Sequence, residues 1–205
     1  QVKRMLAYSS LVHMGYILVG VGITLYTQQT GGAQGAFFHL INHTLMKGLA
    51  FLSAGALIYT FYIARGSHAP LSISDLAGAS QRYPVIALSL SLALLGLAGL
   101  PPLAGFMSKW QIFLAGFNTQ DPFIIGAVIF AALNSVLSLA YYAPLINAMY
   151  RQKPGEAVSQ GTKMPLSMVL PIVLMAAAIV ILGFIPNLLD NFTIPASQVL
   201  LRLGY

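Results

Sequence analysis

Four stretches of this sequence are apolar over a length that fixes their surroundings: residues 5–27, 36–63, 123–150 and 165–185. Each reaches or exceeds the roughly 20 residues that an α-helix needs to cross the hydrocarbon core of a bilayer. Lipid offers no partner to a backbone N–H or C=O, so runs of this kind are helices that pair their own backbone. Only 7% of the residues are charged, whereas a soluble domain carries about 25%. The sequence predicts an all-α, polytopic membrane helix bundle with residues 1–205 as a single transmembrane domain.

A fifth apolar run, residues 84–117, is interrupted at Gly99, Leu100, Pro101 and Pro102. Two prolines remove backbone donors and restrict the residue before them, so the helix breaks there. The second piece, from residue 105 on, rises only about 18–20 Å and cannot span alone. One discontinuous span also places Lys3 and Arg4, Arg65 and Arg82, and Arg151, Lys153 and Lys163 on one side, with the loops at 28–35 and 118–121 opposite. Two separate spans would scatter those basic loops. Five spans are therefore expected, with a short amphipathic helix on the surface at 71–82, capped by Ser72 or Ser74. Residues 187–205 form a tail too polar for a sixth.

The net charge of +6 reads as topology, because most basic residues sit between apolar runs and none form a stripe among aromatics; nucleic acid is not an expected partner. The absence of cysteine excludes disulfides, thiolate metal sites and cysteine nucleophiles. No glycine cluster is followed by the lysine and hydroxyl residue of a phosphate loop. The opening residues QVKRMLAYSS lack an initiating Met and the layout of a signal peptide, as expected of a chain that starts inside a longer protein.

Ionisable groups at membrane depth are the candidate functional residues. His39, His43 and Lys47 lie at i, i+4 and i+8 and so project from nearly one helix face over about 12 Å. A buried charge in lipid is costly and normally faces other helices or water, and histidine and buried lysine can both exchange protons near neutral pH. The bland alternative is interhelical glue, which His13 or His39 alone would satisfy; burying a lysine costs more than glue requires. The histidine pair could begin a zinc site, but no nearby carboxylate completes it.

Lys109 follows the break, where unwound backbone and helix ends can hold ions and water. Against this stands a snorkelling lysine beside Trp110. His13, Lys3, Asn134 and Ser138, with Ser135, are secondary candidates, small polar residues being ordinary at helix interfaces. Tyr141, Tyr142 and Tyr150 are expected in an aromatic belt near the basic loop.

The segments VKRMLAYSSLVHMGY, FFHLINHTLMKGLAFLSAG, ISDLAG and GLPPLAGFMSKW, in that order, resemble the antiporter-like subunits of respiratory complex I. That family is shared with Mrp-type cation/proton antiporters, membrane-bound hydrogenases and F420H2 dehydrogenases. The resemblance implies a fold of fourteen helices with two inverted repeats, each with a broken helix, of which this chain would be the last five. It implies that Lys47 is a central relay group neighboured by His39 and His43, and that Lys109 lies at the channel exit. It further implies protons or Na+ as the transported ion, other membrane subunits and the bilayer as partners, no redox cofactor in this chain, and a prokaryotic or organellar energy-transducing membrane. The first-half glutamate and lysine of the family have no counterpart here, so this stretch alone should not pump. The leading reading is a proton-translocating membrane subunit of a complex-I-like NADH:quinone oxidoreductase or related hydrogenase or F420H2 dehydrogenase, the alternative is an Mrp-type Na+/H+ antiporter subunit, and a structural anchor whose polar ladder is only glue is the second alternative.

Overall fold

The computed structural model describes residues 1–63 and 66–203; Arg65, expected on the basic side, lies outside the described residues. Four helices are long and apolar enough to cross a membrane: α1 (Val2–Thr27), α2 (Gly31–Phe61), α6 (Pro122–Arg151) and α8 (Leu166–Phe184). Between them lie a one-turn helix α3 (Ala79–Arg82), then α4 (Pro84–Ala98) and α5 (Ala104–Phe117). At 15 and 14 residues, α4 and α5 rise only about 21–22 Å each. Together they make the broken fifth span that the proline pair predicts.

The break is built from backbone geometry. Gly99 caps α4 in the left-handed region at φ 82°, a conformation that glycine adopts without the Cβ penalty. Its N–H and that of Leu100 both return to the carbonyl of Leu95, at 3.1 Å each, closing the helix as a C-terminal αL turn. The chain then passes Pro101 and Pro102, runs extended at Leu103 and restarts as α5. Gly105, in the first turn of α5, packs so closely on α4 that an added Cβ would stand 2.8 Å from the carbonyl carbon of Gly96. Helix α5 therefore lies directly against the end of α4.

Helix α2 is the centre of the bundle, with α1, α4, α5, α8 and α9 (Asp190–Leu203) packed round it. Small and polar residues occupy its buried positions, among them Gly32, Gly35, Ala36, Asn42, Ala50, Ser53 and Ala54. Close approach and interhelical hydrogen bonds replace the hydrophobic drive that lipid cannot supply. The outer faces of α1, α6 and α8 expose Leu11, Leu18, Phe130, Leu137, Leu170 and Leu174, as lipid contact demands.

At one end of the bundle the loops are knitted together. The N–H of Val2 bonds the carbonyl of Leu71, that of Gly78 bonds Ala148, and that of Gly155 bonds Ala77, each at 3.0 Å. Arg82 donates to the carbonyls of Ser159 and Gly161, close to the short helix α7 (Glu156–Gln160). This is the basic side. At the other end Asp121 caps α6 by accepting from Phe123 and Ile124, and Tyr26 donates to it at 2.9 Å.

One expectation is corrected here. The surface amphipathic helix at 71–82 is instead a single 3₁₀ turn, Ser74–Leu76, followed by α3, with Ser72 and Asp75 exchanging hydrogen bonds ahead of it. Leu71, Leu76 and Ala79 are buried, so the segment is anchored into the bundle and cannot lie flat on the interface. The polar tail is a 3₁₀ turn, Pro186–Leu189, and helix α9. Thr193 and Ser197 of α9 are buried while Phe192 and Val199 face outward. Asn191, Gln198 and Arg202 stay exposed, and at 14 residues α9 is not long enough to cross a membrane.

Candidate functional site

Lys47 is 6% exposed and Lys109 3% exposed. Both ammonium groups bond protein oxygen. Lys47 on α2 donates to the carbonyl of Leu6 at 2.5 Å and to the hydroxyl of Ser9 on α1. Lys109 on α5 donates to the carbonyl of Leu97 and to the hydroxyl of Ser135, each at 2.8 Å. Ser135 in turn donates to the carbonyl of Ala98 at 3.0 Å.

The second pair explains the break. The last carbonyls of a helix have no intrahelical donor and carry the negative end of its dipole. Ending α4 at Ala98 inside the bundle leaves Leu97 and Ala98 in that state, and Lys109 and Ser135 supply the donors. The Lys109 nitrogen also sits 4.7 Å from the centre of the Tyr16 ring, a cation–π distance. Snorkelling does not occur: Trp110, the next residue, is half exposed while Lys109 turns inward.

Three histidines lie between the lysines. His13 and His43 stack at 4.8 Å between centroids. His13 Nδ1 is 3.1 Å from His39 Nε2, and His39 Nδ1 is 2.8 Å from the hydroxyl of Ser108. Ser108 donates to the carbonyl of Ala104 at 3.1 Å. With that proton committed, Ser108 accepts from His39 Nδ1–H, which leaves His39 Nε2 to accept from His13 Nδ1–H. The imidazole line is thus oriented, and it ends on a backbone carbonyl. Asn42 donates to the same Ala104 carbonyl at 3.1 Å.

The structure brings together Lys47, His43, His39, His13 and Lys109, and Ser138 joins them by donating to the Ser135 carbonyl at 2.6 Å. Asn134 is half-buried and makes no hydrogen bond among the described residues; its neighbour Ser135 is the residue that reaches the site. Lys3 is exposed at the basic end, beside a cavity of about 310 Å³ that it lines with Gln1 and His68. Ser9 and Ser108 carry no sequence signal, since hydroxyls are common in membrane helices.

Tyr142 is fully buried and Tyr141 half-buried in the bundle, which corrects the aromatic-belt expectation for both; only Tyr150, 44% exposed, stays at the edge. The reason is depth, because Tyr142 lies more than two turns inside the end of α6 at Arg151. Two cavities flank the lysines. One of about 320 Å³ opens between α5 and α6 and is lined by Gly99, Lys109, Trp110 and Ser135. The other, about 300 Å³, lies at Ser9, Val12 and Tyr141.

Among the described residues every carboxylate lies outside the core: Asp75, Asp121, Glu156 and Asp190 are all in loops or at helix starts. The fold and the site define a polytopic membrane helix bundle with two buried lysines and three buried histidines packed at a broken helix. Residues 1–135 match the NADH:quinone oxidoreductase/Mrp antiporter transmembrane family, and the chain belongs to it.

Similar proteins include NADH-quinone oxidoreductase subunit N of Dehalococcoides mccartyi, 34% identical over 202 residues, which covers 98% of this chain and 39% of that relative. Another is the F(420)H(2) dehydrogenase subunit N of Methanosarcina mazei, 30% identical over 201 residues, covering 97% of this chain and 39% of that relative. The chain spans under two-fifths of the length of these relatives. Among solved structures, a chain of respiratory complex I from Thermus thermophilus with bound aureothin superposes with a TM-score of 0.70 at 30% identity, covering 91% of this chain and 39% of that one. A chain of the Mrp complex from Dietzia sp. DQ12-45-1b superposes with a TM-score of 0.75 at 18% identity, covering 96% of this chain and 42% of that one. That second likeness concerns the fold alone.

Proposed function

We propose that this chain is part of a proton-translocating membrane subunit of a complex-I-like NADH:quinone oxidoreductase or a related hydrogenase or F420H2 dehydrogenase. Lys47 and Lys109 are the relay groups, His39, His43 and His13 lie beside them, and redox chemistry in other subunits drives the transfer. The observation that carries this reading is the inward-turned Lys109, held at the broken end of α4 by Leu97 and Ser135 in the same polar line as Lys47.

Protons fit the site better than Na+. Hard cations take oxygen ligands and usually carboxylates, whereas lysine offers donors and no acceptor. Among the described residues the core holds no carboxylate. Two ammonium groups in one apolar bundle also repel each other, which favours passing one charge from site to site. The partners in this reading are the other membrane subunits of the complex, and the chain itself holds no redox cofactor.

The test is redox-driven proton pumping in membrane vesicles, with the full-length parent protein compared with its Lys47→Ala and Lys109→Ala variants and complex assembly measured in parallel. Pumping lost in assembled complexes is the expected result. Pumping retained in both variants would leave the lysines as structural glue and remove the relay.

A further inference from the structure

A cavity of about 520 Å³, larger than either cavity beside the buried lysines, opens at the basic end of the bundle where α4 and α8 begin. Arg82, Thr162 and Lys163 line its polar part, and Val85, Met164 and Val169 line its apolar part. Sites for small molecules occupy roughly 300–1,000 Å³. Hydrogen bonds fix the walls. Arg82 donates to the carbonyl of Ser159 and, at 2.6 Å, to that of Gly161. The Tyr83 hydroxyl donates to the carbonyl of Thr162 at 2.8 Å, and the Thr162 N–H reaches the carbonyl of Thr60 at 3.0 Å. The segment before α8 is thus tied to α2 and to the start of α4.

Charge gives the cavity its character. The partners of Arg82 are neutral carbonyls, and Lys163 is exposed and makes no hydrogen bond among the described residues. The acidic side chains are engaged elsewhere: Asp75 with Ser72, Asp121 with Tyr26, Glu156 with Gln160 and Asp190 with Gln34. Two positive charges therefore share one cavity with no carboxylate to offset them, and the five-donor fork of Arg82 has N–H groups to spare. Beyond the charges the surface is apolar and turned outward. Val85 and Leu88 on α4 and Leu166 and Leu170 on α8 are exposed, so the apolar wall runs on into the lipid-facing side of the bundle.

We propose that this cavity binds an anionic phospholipid of the leaflet on the basic side, with its phosphodiester between Arg82 and Lys163 and one acyl chain along Val85, Met164 and Val169. Basic pockets between membrane helices are settings that hold phosphate head groups, and arginine meets phosphate oxygens through its planar fork. A zwitterionic lipid brings its own cation into a cavity that already holds two. A free phosphate leaves the apolar track unused. The bound lipid ties α4 to α8 at their starts, and α4 carries the helix break at its other end.

The experiment uses the full-length parent in its assembled complex, reconstituted in phosphatidylcholine vesicles with a trace of phosphatidylglycerol that carries a diazirine on one acyl chain. Cross-linked peptides are mapped by mass spectrometry, and phosphatidylcholine with the same diazirine chain is the control probe. Labelling of residues 84–88 and 162–170 should be at least about fivefold stronger with the anionic probe, the weight of one basic residue near an anionic lipid. Lys163→Gln removes a charge and breaks no hydrogen bond among the described residues, and it should lower that labelling about fivefold. Arg82→Gln should lower it further, and where this variant fails to assemble because the 159–161 loop is released, Lys163→Gln decides alone. Equal labelling by the two probes, or labelling unchanged in Lys163→Gln, overturns the site and leaves an ordinary lipid contact. Absence of labelling at both segments overturns it too and assigns the cavity to a neighbouring subunit.

Discussion

The side-chain nitrogen of Lys109 bonds the carbonyl of Leu97, twelve residues earlier in the chain, at 2.8 Å. One helix thus ends on a cation carried by the next. The prolines stop α4 inside the membrane, stopping it leaves carbonyls unpaired, and the unpaired carbonyls make a place where a lysine can be buried.

Replacing Lys109 with Met therefore has two opposed effects on stability. The Leu97 carbonyl loses its donor, at a cost of about 1–3 kcal/mol, while removal of a buried ammonium relieves a desolvation penalty of comparable or larger size. Ser135 keeps its bond to Ala98. The expected outcome is an assembled complex with a thermal midpoint near that of the wild type and pumping abolished. Loss of assembly with Met at this position would mean that the charge holds the break together.

Gly99 tests the geometry of the same place. A non-glycine residue in the left-handed region costs about 1–2 kcal/mol, and a Cβ at Gly99 would meet the Lys109 nitrogen at 3.1 Å. Gly99→Ala should lower thermal stability modestly and reduce pumping, because the lysine must shift. Gly105→Ala should be worse for folding, since the obstacle there is the backbone of Gly96 and no flexible side chain can yield. Comparing complex yield for the two variants decides this, with the larger loss expected for Gly105→Ala.

The spans and the break were readable from the sequence because length, apolarity and a proline pair act locally. Lys47, His39 and His43 were readable because a charge in an apolar helix is rare. Ser9 and Ser108 were not, and Ser135 was readable only as a secondary candidate, since each takes its meaning from a neighbour on another helix: Ser9 from Lys47, Ser108 from His39, Ser135 from Lys109. The segment at 71–82 misled for a related reason. Its pattern of apolar and polar residues suits an interface, but the loops at 152–165 and the end of α6 cover it.

Ser108→Ala tests the imidazole line. Without the hydroxyl, the His39 Nδ1–H loses its acceptor in a fully buried position, which costs about 1–3 kcal/mol. Thermal melts of the assembled complex should show a lower midpoint for Ser108→Ala than for the wild type. An unchanged midpoint would mean that the His39 ring does not depend on this hydroxyl for its acceptor.

Asp121, at the end of the bundle opposite the basic loops, supplies a test of folding by pH. The N–H of Ile124 first, then the Tyr26 hydroxyl and the N–H of Phe123, hold its carboxyl below the ordinary aspartate range. A carboxylate whose folded value is lowered contributes stability that is present above its unfolded value and is lost as pH falls through the folded one. At neutral pH the contribution is therefore complete, and it disappears only in the acid range below 3.8. Asp121→Asn keeps an oxygen for the helix cap and does not titrate. Thermal melts of wild type and Asp121→Asn should accordingly differ in favour of the wild type at about pH 7 and draw together only as pH falls below 3.8. A difference that stays constant across that range would assign the cap to the backbone and to Pro122, with no share for the charge.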